Sequence, residues 1–334
     1  MNRDAAGFLT LAALWGTAFV ATKAALAEFP PVLLAALRFD IAAVVLFAAA
    51  LVAADAPEAL LPAGRGDLAP ILAGGAFSIG LHHALLFTGQ QYVSAAVAAT
   101  LLGLIPVLTP VAARAVRPDE RLGAVGAVGI LVGFSGLVLI ADPDPERLRA
   151  LPGSVAGAGA DTGTGADTAT TATGTTAGPL PPLTVGTVFV FGSAVAWVAG
   201  AVTTREDDAT LGPLALQAWM AAVGAGLLHV AAAALGQSPL GLTPSAGGLA
   251  WLAYLAVVPG AGGFLLYFRL LDRLGPIRAG LLEYAIPPFA ALFGFVVLGE
   301  TLAGRTLQGF ACVFVAFVLV QREPIRGALR RRFG

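Results

Sequence analysis

The sequence predicts an all-α membrane protein with ten transmembrane helices, arranged as two inverted five-helix repeats around a central cavity. Three observations lead to this fold class. Of the 334 residues, 57% are hydrophobic and only 12% are charged, against roughly 25% charged residues in soluble domains. The apolar residues fall into blocks of about 20, the length that crosses a hydrocarbon core of ~30 Å. A polar segment divides these blocks into two groups of five.

The apolar blocks are too long to be the buried strands of a soluble α/β protein, which run 4–8 residues. They lie at 8–27, 31–53, 68–90, 93–115, 121–140, 184–204, 212–235, 246–270, 276–299 and 303–321. For the first block a cleaved signal peptide is the alternative, because small residues follow the apolar run. The length of the block and the charge of Lys23 within it favour a helix that stays in the mature protein.

Charge and cysteine content exclude several classes of protein. The formal net charge is −1, which indicates no nucleic-acid partner. The single cysteine, Cys312, excludes an internal disulfide and a cysteine-based metal cluster. The chain lacks a G-x-x-x-x-G-K-[ST] phosphate loop, so ATP is not the expected energy source. We expect no metal and no cofactor. The expected partners are a small-molecule substrate and the lipid bilayer, and a homodimer is left open.

The distribution of positive residues predicts the orientation. With the N-terminus in the cytoplasm, most arginines fall in inner segments, and the outer segments hold Lys23, Arg147, Arg149 and Arg305. Cytoplasmic loops carry such an excess of positive charge. We therefore expect a multi-pass protein of the cell (plasma) membrane with both termini in the cytoplasm.

The segment 141–183 is rich in Gly, Ala, Thr and Asp and has too little apolar content to pack a core. This composition predicts a disordered extracytoplasmic linker. The chain then divides into a first five-helix repeat at 1–140, a second five-helix repeat at 184–321 and a basic cytoplasmic tail at 322–334.

Short matches at an offset of 181 residues indicate an internal duplication. Phe87 aligns with Phe268, and Ile105-Pro106 aligns with Ile286-Pro287. Because each half contains an odd number of helices, the two copies enter the membrane from opposite sides. Inverted repeats are typical of secondary transporters, whose substrate site lies near the midplane between the repeats.

Prolines and glycines interrupt helices at corresponding positions of the two halves. A proline frees one backbone carbonyl, which must face protein or a watery cavity because lipid cannot satisfy it. Paired interruptions therefore point to a transport site, and kinks that serve only packing are the alternative. The prolines predicted to line the cavity are Pro106, Pro110, Pro259, Pro287 and Pro288.

Glu283 is the main candidate for a functional side chain. It lies about eight residues into the ninth block, ~12 Å from the inner end at 1.5 Å per residue. A carboxylate near the midplane is costly, so it should face the bundle interior. Three roles compete: proton coupling, contact with a substrate amine or hydroxyl, and a structural partnership with another buried polar group. The neighbouring Tyr284 is a further candidate for substrate binding.

Two histidines and two tryptophans are additional candidates. His82 and His83 are adjacent, and adjacent helix residues point ~100° apart, so we expect at most one of them to face the cavity squarely. A core histidine with satisfied hydrogen bonds is the expectation for the other. Trp15 and Trp197 occupy near-equivalent positions in the two repeats, where they either wall the cavity or serve packing.

Three charged residues are predicted to lie in the outer halves of helices 1 and 2, namely Lys23, Arg38 and Asp40. Arg38 and Asp40 are two residues apart and diverge on a helix, so they should not pair. We expect either an ion pair between Lys23 and Asp40 or an outer gate built from all three residues. Snorkelling of Lys23 to the interface is the alternative.

Helix 5 carries glycines at spacings of three and four residues, at Gly126, Gly129, Gly133 and Gly136. Such a face lets helices approach closely in lipid, and we interpret it as a packing surface. The same segment contains Gly133-Phe134-Ser135-Gly136, which looks like a nucleophile motif of rhomboid proteases. No histidine is placed to act as its base, so we do not expect an enzyme.

Two sequence elements resemble the EamA-type family of the drug/metabolite transporter superfamily. One is Trp15-Gly16-Thr17 in helix 1 followed by Pro31…Leu37-Arg38-Phe39 in helix 2. The other is a proline, an apolar stretch and an acidic residue, from Pro106 to Glu120 and again from Pro287 to Glu300. The resemblance covers both halves but not the linker.

This resemblance implies a ten-helix exporter or permease that works by alternating access, with helices 3, 4, 8 and 9 lining the cavity and helices 1 and 6 alongside. Glu120 and Glu300 would be helix-end acids, which we interpret as structural groups that cap a helix or pair with Arg121 and Arg305.

The expected function is a secondary transporter, in the exporting direction, of a small metabolite such as an amino acid, an amine or an aromatic compound. Proton coupling is left open. The alternative is a membrane sensor or lipid scramblase with the same fold.

Overall fold

The computed structural model describes residues 3–116, 124–141, 181–203, 209–274, 281–301, 303–320 and 322. In these ranges every regular element is a helix, and no described residue belongs to a β-strand. They are α1 (Arg3–Ala25), α2 (Pro31–Ala53), α3 (Arg65–Gln90), α4 (Ala95–Leu102), α5 (Ile105–Val116), α6 (Ala124–Ala141), α7 (Pro182–Thr203), α8 (Pro213–Ala234), α9 (Ala246–Leu255, Ala256–Gly262 and Gly263–Leu274), α10 (Leu282–Leu298) and α11 (Gly304–Val320). A short 3₁₀ turn, Pro57–Leu60, lies between α2 and α3.

Most of the predicted linker and tail, together with Glu120 and Arg121, lies outside the described residues. Seven helical segments are long and apolar enough to cross a membrane, and shorter apolar helices lie at Val125–Ala141, Leu282–Leu298 and Gly304–Val320. The prediction of an all-helical, multi-pass architecture is confirmed. The count of ten spans stays a prediction.

Two helices contain a π-helical turn at matching positions. In α3 this turn is Gly74–Leu81, and in α9 it is Ala256–Gly262. Adding the offset of 181 residues to 74–81 gives 255–262, so the two interruptions coincide between the halves. A π-turn brings each carbonyl towards the residue five positions later. A Cβ at Gly80 would lie 3.1 Å from the Gly75 carbonyl oxygen, which explains the glycine there.

The principal helix contacts join one half of the chain to the other. α2 packs on α8, α6 on α11, α1 on α9 and α10, and α3 on α7 and α8. The contacts of α1 with α9 correspond to the contacts of α7 with α3, because α7 is the equivalent of α1 and α3 the equivalent of α9 in the other half. A cavity at the centre is therefore bordered by both halves.

Small residues permit the close approach of α6 and α11. A Cβ at Gly136 would lie 2.9 Å from the Gly309 carbonyl oxygen, and one at Gly309 would lie 3.0 Å from the Gly136 carbonyl oxygen. Gly129 and Gly133 face Ala316 of α11 in the same way. The interpretation of this glycine face as a packing surface is confirmed for these residues.

Two carboxylates fasten loops at opposite ends of the bundle. Glu28, between α1 and α2, accepts hydrogen bonds from the Ser245 amide at 2.6 Å and from its hydroxyl at 2.7 Å, just where α9 begins. Asp67, in the first turn of α3, accepts from the Thr210 amide and hydroxyl, both at 2.7 Å, and from the Leu211 amide at 3.0 Å. Each carboxylate ties one half of the chain to the other.

We predict that Gly136→Leu lowers the free energy of unfolding by about 1–3 kcal/mol, because the new side chain must displace the backbone of α11. Thermal unfolding of the purified protein in detergent measures the effect. The matched control is Gly226→Leu, since nothing lies within 4 Å of a Cβ at that exposed position. Equal stability of the two variants would contradict the packing role.

Stability at low pH should depend on Glu28. Hydrogen bonds from the Ser245 hydroxyl and amide hold the pKa of Glu28 below its usual value of 4.5. A lowered folded-state pKa stabilises the protein above the unfolded pKa, and this contribution disappears as the pH falls through the folded pKa. Between about pH 6 and about pH 3, wild type should therefore lose more stability than Glu28→Gln. The exposed Glu58→Gln is the control, and it should follow wild type.

Candidate functional site

A cavity of about 110 Å³ lies between the two halves, and His82 and Phe264, just after the two π-helical turns, border it. It has room for several water molecules or a small solute. The predicted site residues that border it are Trp15, Arg38, His82, His83, Trp197 and Glu283. Its wall thus combines residues of α1, α2 and α3 with residues of α7 and α10.

Both histidines border the cavity, which differs from the expectation that at most one would. Their rings are in edge-to-face contact, with centroids 4.5 Å apart, and both side chains are buried. An imidazole extends far enough from the backbone for two neighbouring side chains to reach one concave surface. His83 also contacts the Phe39 ring of α2, at a centroid distance of 4.4 Å.

Backbone carbonyls orient the two imidazoles. The Nδ1 atom of His82 lies 2.9 Å from the Ser193 carbonyl oxygen, and that of His83 lies 3.0 Å from the Ile79 carbonyl oxygen. A carbonyl can only accept, so Nδ1 carries the hydrogen in both rings. In a neutral ring of this tautomer, Nε2 is a hydrogen-bond acceptor. The histidine pair therefore offers acceptors, besides aromatic edges, to a solute.

The two tryptophans wall the cavity from equivalent helices. The indole N–H of Trp15 donates to the Pro259 carbonyl oxygen at 3.2 Å, within the π-helical turn of α9. A Cβ at Gly263 would lie 2.5 Å from Trp15 Nε1, so a glycine is needed for the indole to take this place. The Trp197 ring contacts His82 at a centroid distance of 5.1 Å.

The five prolines occupy other places than predicted. Pro259 contributes its carbonyl to Trp15, but none of the five rings is part of the cavity wall. Pro287 and Pro288 instead line a separate groove of about 660 Å³ beside Glu300. The cavity touches α10 near its start, at Glu283 and Ile286, and residues one turn further along lie beyond it. Pro106 and Pro110 lie in α5 outside the cavity wall.

Tyr284 also differs from its prediction, because it does not line the cavity. Its side chain instead contacts the break between α4 and α5. Its hydroxyl donates to the Gly103 carbonyl oxygen at 2.9 Å. The two residues are 181 positions apart, so they are equivalent in the two halves. The Tyr284 ring packs on Phe317 of α11, with centroids 4.2 Å apart. It points away from Glu283 because neighbouring helix residues diverge by ~100°.

The predicted group of Lys23, Arg38 and Asp40 is not formed. Lys23 lies 3.6 Å from Glu300 and donates to the carbonyl oxygens of Gln90 and Val93. Asp40 lies 2.7 Å from His229 of α8, while Arg38 borders the cavity. The cause is the divergence of Arg38 and Asp40 on α2, which sends one side chain inwards and the other towards α8.

Glu300 caps a helix at the end of the bundle where Lys23 lies. Its Oε2 accepts from the Ala95 amide at 2.9 Å, at the start of α4, and Lys23 is its ion-pair partner. The predicted capping role agrees with this geometry. Gly299 precedes it with a φ of 68°, and this left-handed conformation ends α10 and turns the carboxylate back towards α4.

Sequence reasoning missed His229, Gln90 and Phe264. Gln90 is buried, borders the cavity and donates to the Phe19 carbonyl oxygen at 3.1 Å. The signal for it was an amide at the end of the third apolar block. Phe264 borders the cavity directly after the Pro259–Gly263 interruption. His229 carried no sequence signal, since its contact with Asp40 depends on the packing of α2 against α8.

Arg38 and Glu283 supply opposite charges to the cavity wall. Within the described ranges, neither side chain has a hydrogen-bond or ion-pair partner. The described part of α10 begins at Leu282, so Glu283 lies in its first turn, whereas the sequence placed it about eight residues into a helix. Residues 275–280 are outside the described ranges.

A cavity with charged and aromatic walls, bordered by two similar halves of a membrane-embedded helical bundle, is typical of a solute transporter. The EamA-like transporter family model matches residues 5–141 and 184–322, so both halves are matched and the predicted linker is left out. The chain belongs to the EamA-like transporter family, and the two-repeat architecture expected from the sequence is that of this family.

Relatives of this chain are also named as transporters. An uncharacterized transporter of Archaeoglobus fulgidus is 25% identical over 309 residues, covering 92% of this chain and 95% of that protein. The uncharacterized inner membrane transporter YedA of Escherichia coli strain K12 is 22% identical over 307 residues, covering 92% and 87%. A crystal structure matches with a TM-score of 0.60 at 21% identity, covering 95% of this chain and 96% of that one, which shows the shared fold.

We predict that Tyr284→Phe destabilises the protein by about 1 kcal/mol, because the buried Gly103 carbonyl loses a hydrogen bond. Thermal unfolding in detergent measures this change. Tyr92→Phe is the matched control, since Tyr92 is 44% exposed. A Tyr284→Phe variant as stable as Tyr92→Phe would show that the contact between the two interruptions contributes nothing to stability.

Proposed function

We propose that the protein is a secondary transporter that exports a small metabolite across the plasma membrane by alternating access. The observation that carries this proposal is the cavity between the two halves, where Arg38 and Glu283 have no hydrogen-bond or ion-pair partner within the described ranges. Unpaired charges are costly inside a membrane protein and mark solute or proton pathways. The family and the names of the relatives support transport. The orientation, with both termini cytoplasmic, rests on the distribution of positive residues.

Contacts at the Lys23 end of the bundle support alternating access. Lys23, Glu300 and the start of α4 join α1, α4 and the segment after α10. In the predicted orientation this end faces outwards, so these contacts would close the outer side of the cavity. We propose the pair of Lys23 with Glu300, in place of the group with Arg38 and Asp40, as an outer gate.

Glu283 is proposed as the proton-coupling residue. It borders the cavity, and within the described ranges no residue forms an ion pair or hydrogen bond with it. A carboxyl group that exchanges its proton with the cavity can link solute movement to a proton gradient. Coupling to ATP is not proposed, since the chain lacks a phosphate loop.

The test is uptake by proteoliposomes of amino acids, amines and aromatic compounds, each with and without a pH gradient. We predict that Glu283→Gln abolishes gradient-driven accumulation while exchange of the same solute across the membrane continues. The amide keeps the shape of the carboxylate but cannot carry the proton. Glu58→Gln, in the exposed 3₁₀ turn, is the matched control and should transport as wild type does.

Two results would contradict the proposal. Equal gradient-driven transport by wild type and Glu283→Gln would remove the carboxylate from proton coupling. If folded wild type moved no solute in any condition, transport itself would be wrong. Assays of lipid movement between leaflets would then address the scramblase alternative.

A further inference from the structure

Arg38 has the features of a receptor for an anion that the protein itself does not supply. Its side chain is only 8% exposed, and its Nε is buried without a hydrogen-bond partner. The guanidinium lies 4.8 Å from the centre of the Phe39 ring and 5.7 Å from that of Phe87. These rings attract a cation but accept none of its N–H hydrogen bonds as a carboxylate would.

No described carboxylate forms an ion pair with Arg38. Asp40 pairs with His229, and Glu300 pairs with Lys23. Glu283 borders the same cavity without forming an ion pair with Arg38. Within the described ranges, the guanidinium therefore has no protein anion.

The positions of the two cavity charges along their helices explain why they do not meet. Arg38 lies seven residues after the start of α2, ~10 Å below the Lys23 end of the bundle at 1.5 Å per residue. Glu283 lies fifteen residues before the end of α10, ~22 Å below the same end. The two charges thus differ in depth by roughly 10 Å. One carbon atom carrying both an ammonium and a carboxylate cannot contact both.

The histidine pair provides a different partner for an ammonium beside the Arg38 site. Phe39 connects the two groups, because its ring contacts both the guanidinium, at 4.8 Å, and the His83 imidazole, at 4.4 Å. With Nδ1 donating to backbone carbonyls, the Nε2 atoms are left to accept a hydrogen bond. Arg38 and the histidine pair thus offer one partner for a carboxylate and another for an ammonium along the same cavity wall.

We infer that Arg38 binds the carboxylate of the transported solute, and that the Nε2 atoms of His82 and His83 accept hydrogen bonds from the ammonium of the same solute. These three residues form a subsite for the head group of an α-amino acid. The inference rests on the proposed function, since it takes the cavity as the substrate site. It assigns Arg38 to solute selection and excludes simple amines as good substrates. Glu283, deeper in the cavity, keeps its separate role.

The test uses solutes that differ only in the head group. Phenylalanine, phenethylamine and 3-phenylpropionate form one set, and leucine, isoamylamine and 4-methylpentanoate form a second set for a smaller side chain. Binding to the full-length protein in detergent is measured from the rise in unfolding temperature with solute concentration. We expect wild type to bind the amino acid of at least one set, the acid more weakly, and the amine at least tenfold more weakly than the amino acid.

The variants are Arg38→Met and, as the matched control, Arg65→Met, which removes an exposed arginine at the start of α3. Arg38→Met should lower the affinity for the amino acid at least tenfold and leave that for the amine unchanged. It should unfold at the same temperature as Arg65→Met or a higher one, because removing an unpaired buried charge does not weaken the fold. Arg38→Lys keeps the charge but not the two-pronged geometry, and should bind with intermediate affinity.

The inference is overturned if the amine binds as tightly as the amino acid, if Arg38→Met binds the amino acid as wild type does, or if wild type binds neither set. It is also overturned if Arg38→Met unfolds at a clearly lower temperature than Arg65→Met, which would make Arg38 a structural residue. Uptake by proteoliposomes separates this inference from the proposed function. Binding that depends on Arg38 without uptake would refute transport alone, and uptake of amines unaffected by Arg38→Met would refute the subsite alone.

Discussion

A membrane interior offers no water to a backbone group or a charge, and the rest of this structure depends on that constraint. At two breaks in the helices, a side chain inside the protein donates a hydrogen bond to a backbone carbonyl. The carbonyl of Pro259 accepts from Trp15, and the carbonyl of Gly103 accepts from Tyr284. These two carbonyls can therefore lie inside the bundle without being left unsatisfied.

The same constraint distinguishes charged groups that have protein partners from those that have none within the described ranges. Glu300 accepts a hydrogen bond from the Ala95 amide and forms an ion pair with Lys23, and Asp67 accepts hydrogen bonds from the segment before α8. Such groups hold elements of the two halves together at opposite ends of the bundle. Arg38 and Glu283 border the cavity and have no such partners within the described ranges. We propose that a solute or a proton in the cavity offsets the cost of burying them.

The internal repeat gives these features their positions. The π-helical turns of α3 and α9 lie at equivalent places, and Trp15 and Trp197 come from equivalent helices. The two halves nevertheless contribute different polar side chains to the cavity wall. The histidines belong to the first half and the carboxylate of Glu283 to the second, so the ends of the cavity carry different chemistry. A bundle of similar halves with a polarised cavity suits a solute that binds in one orientation.

The sequence by itself determined the helical membrane architecture, the repeat and the family, because block length and offset matches are local signals. It also placed Glu283 in the interior of the bundle, because an isolated charge in an apolar block is a local signal too. Tertiary structure decided which side chains share a space. Arg38 and Asp40 are two residues apart, yet one borders the cavity and the other pairs with His229 on α8. Likewise Tyr284 and the five predicted prolines lie outside the cavity wall. A helix sequence specifies the angles between its own side chains, but the rotation of the helix against its neighbours is set by packing, and here by glycines that admit close contact.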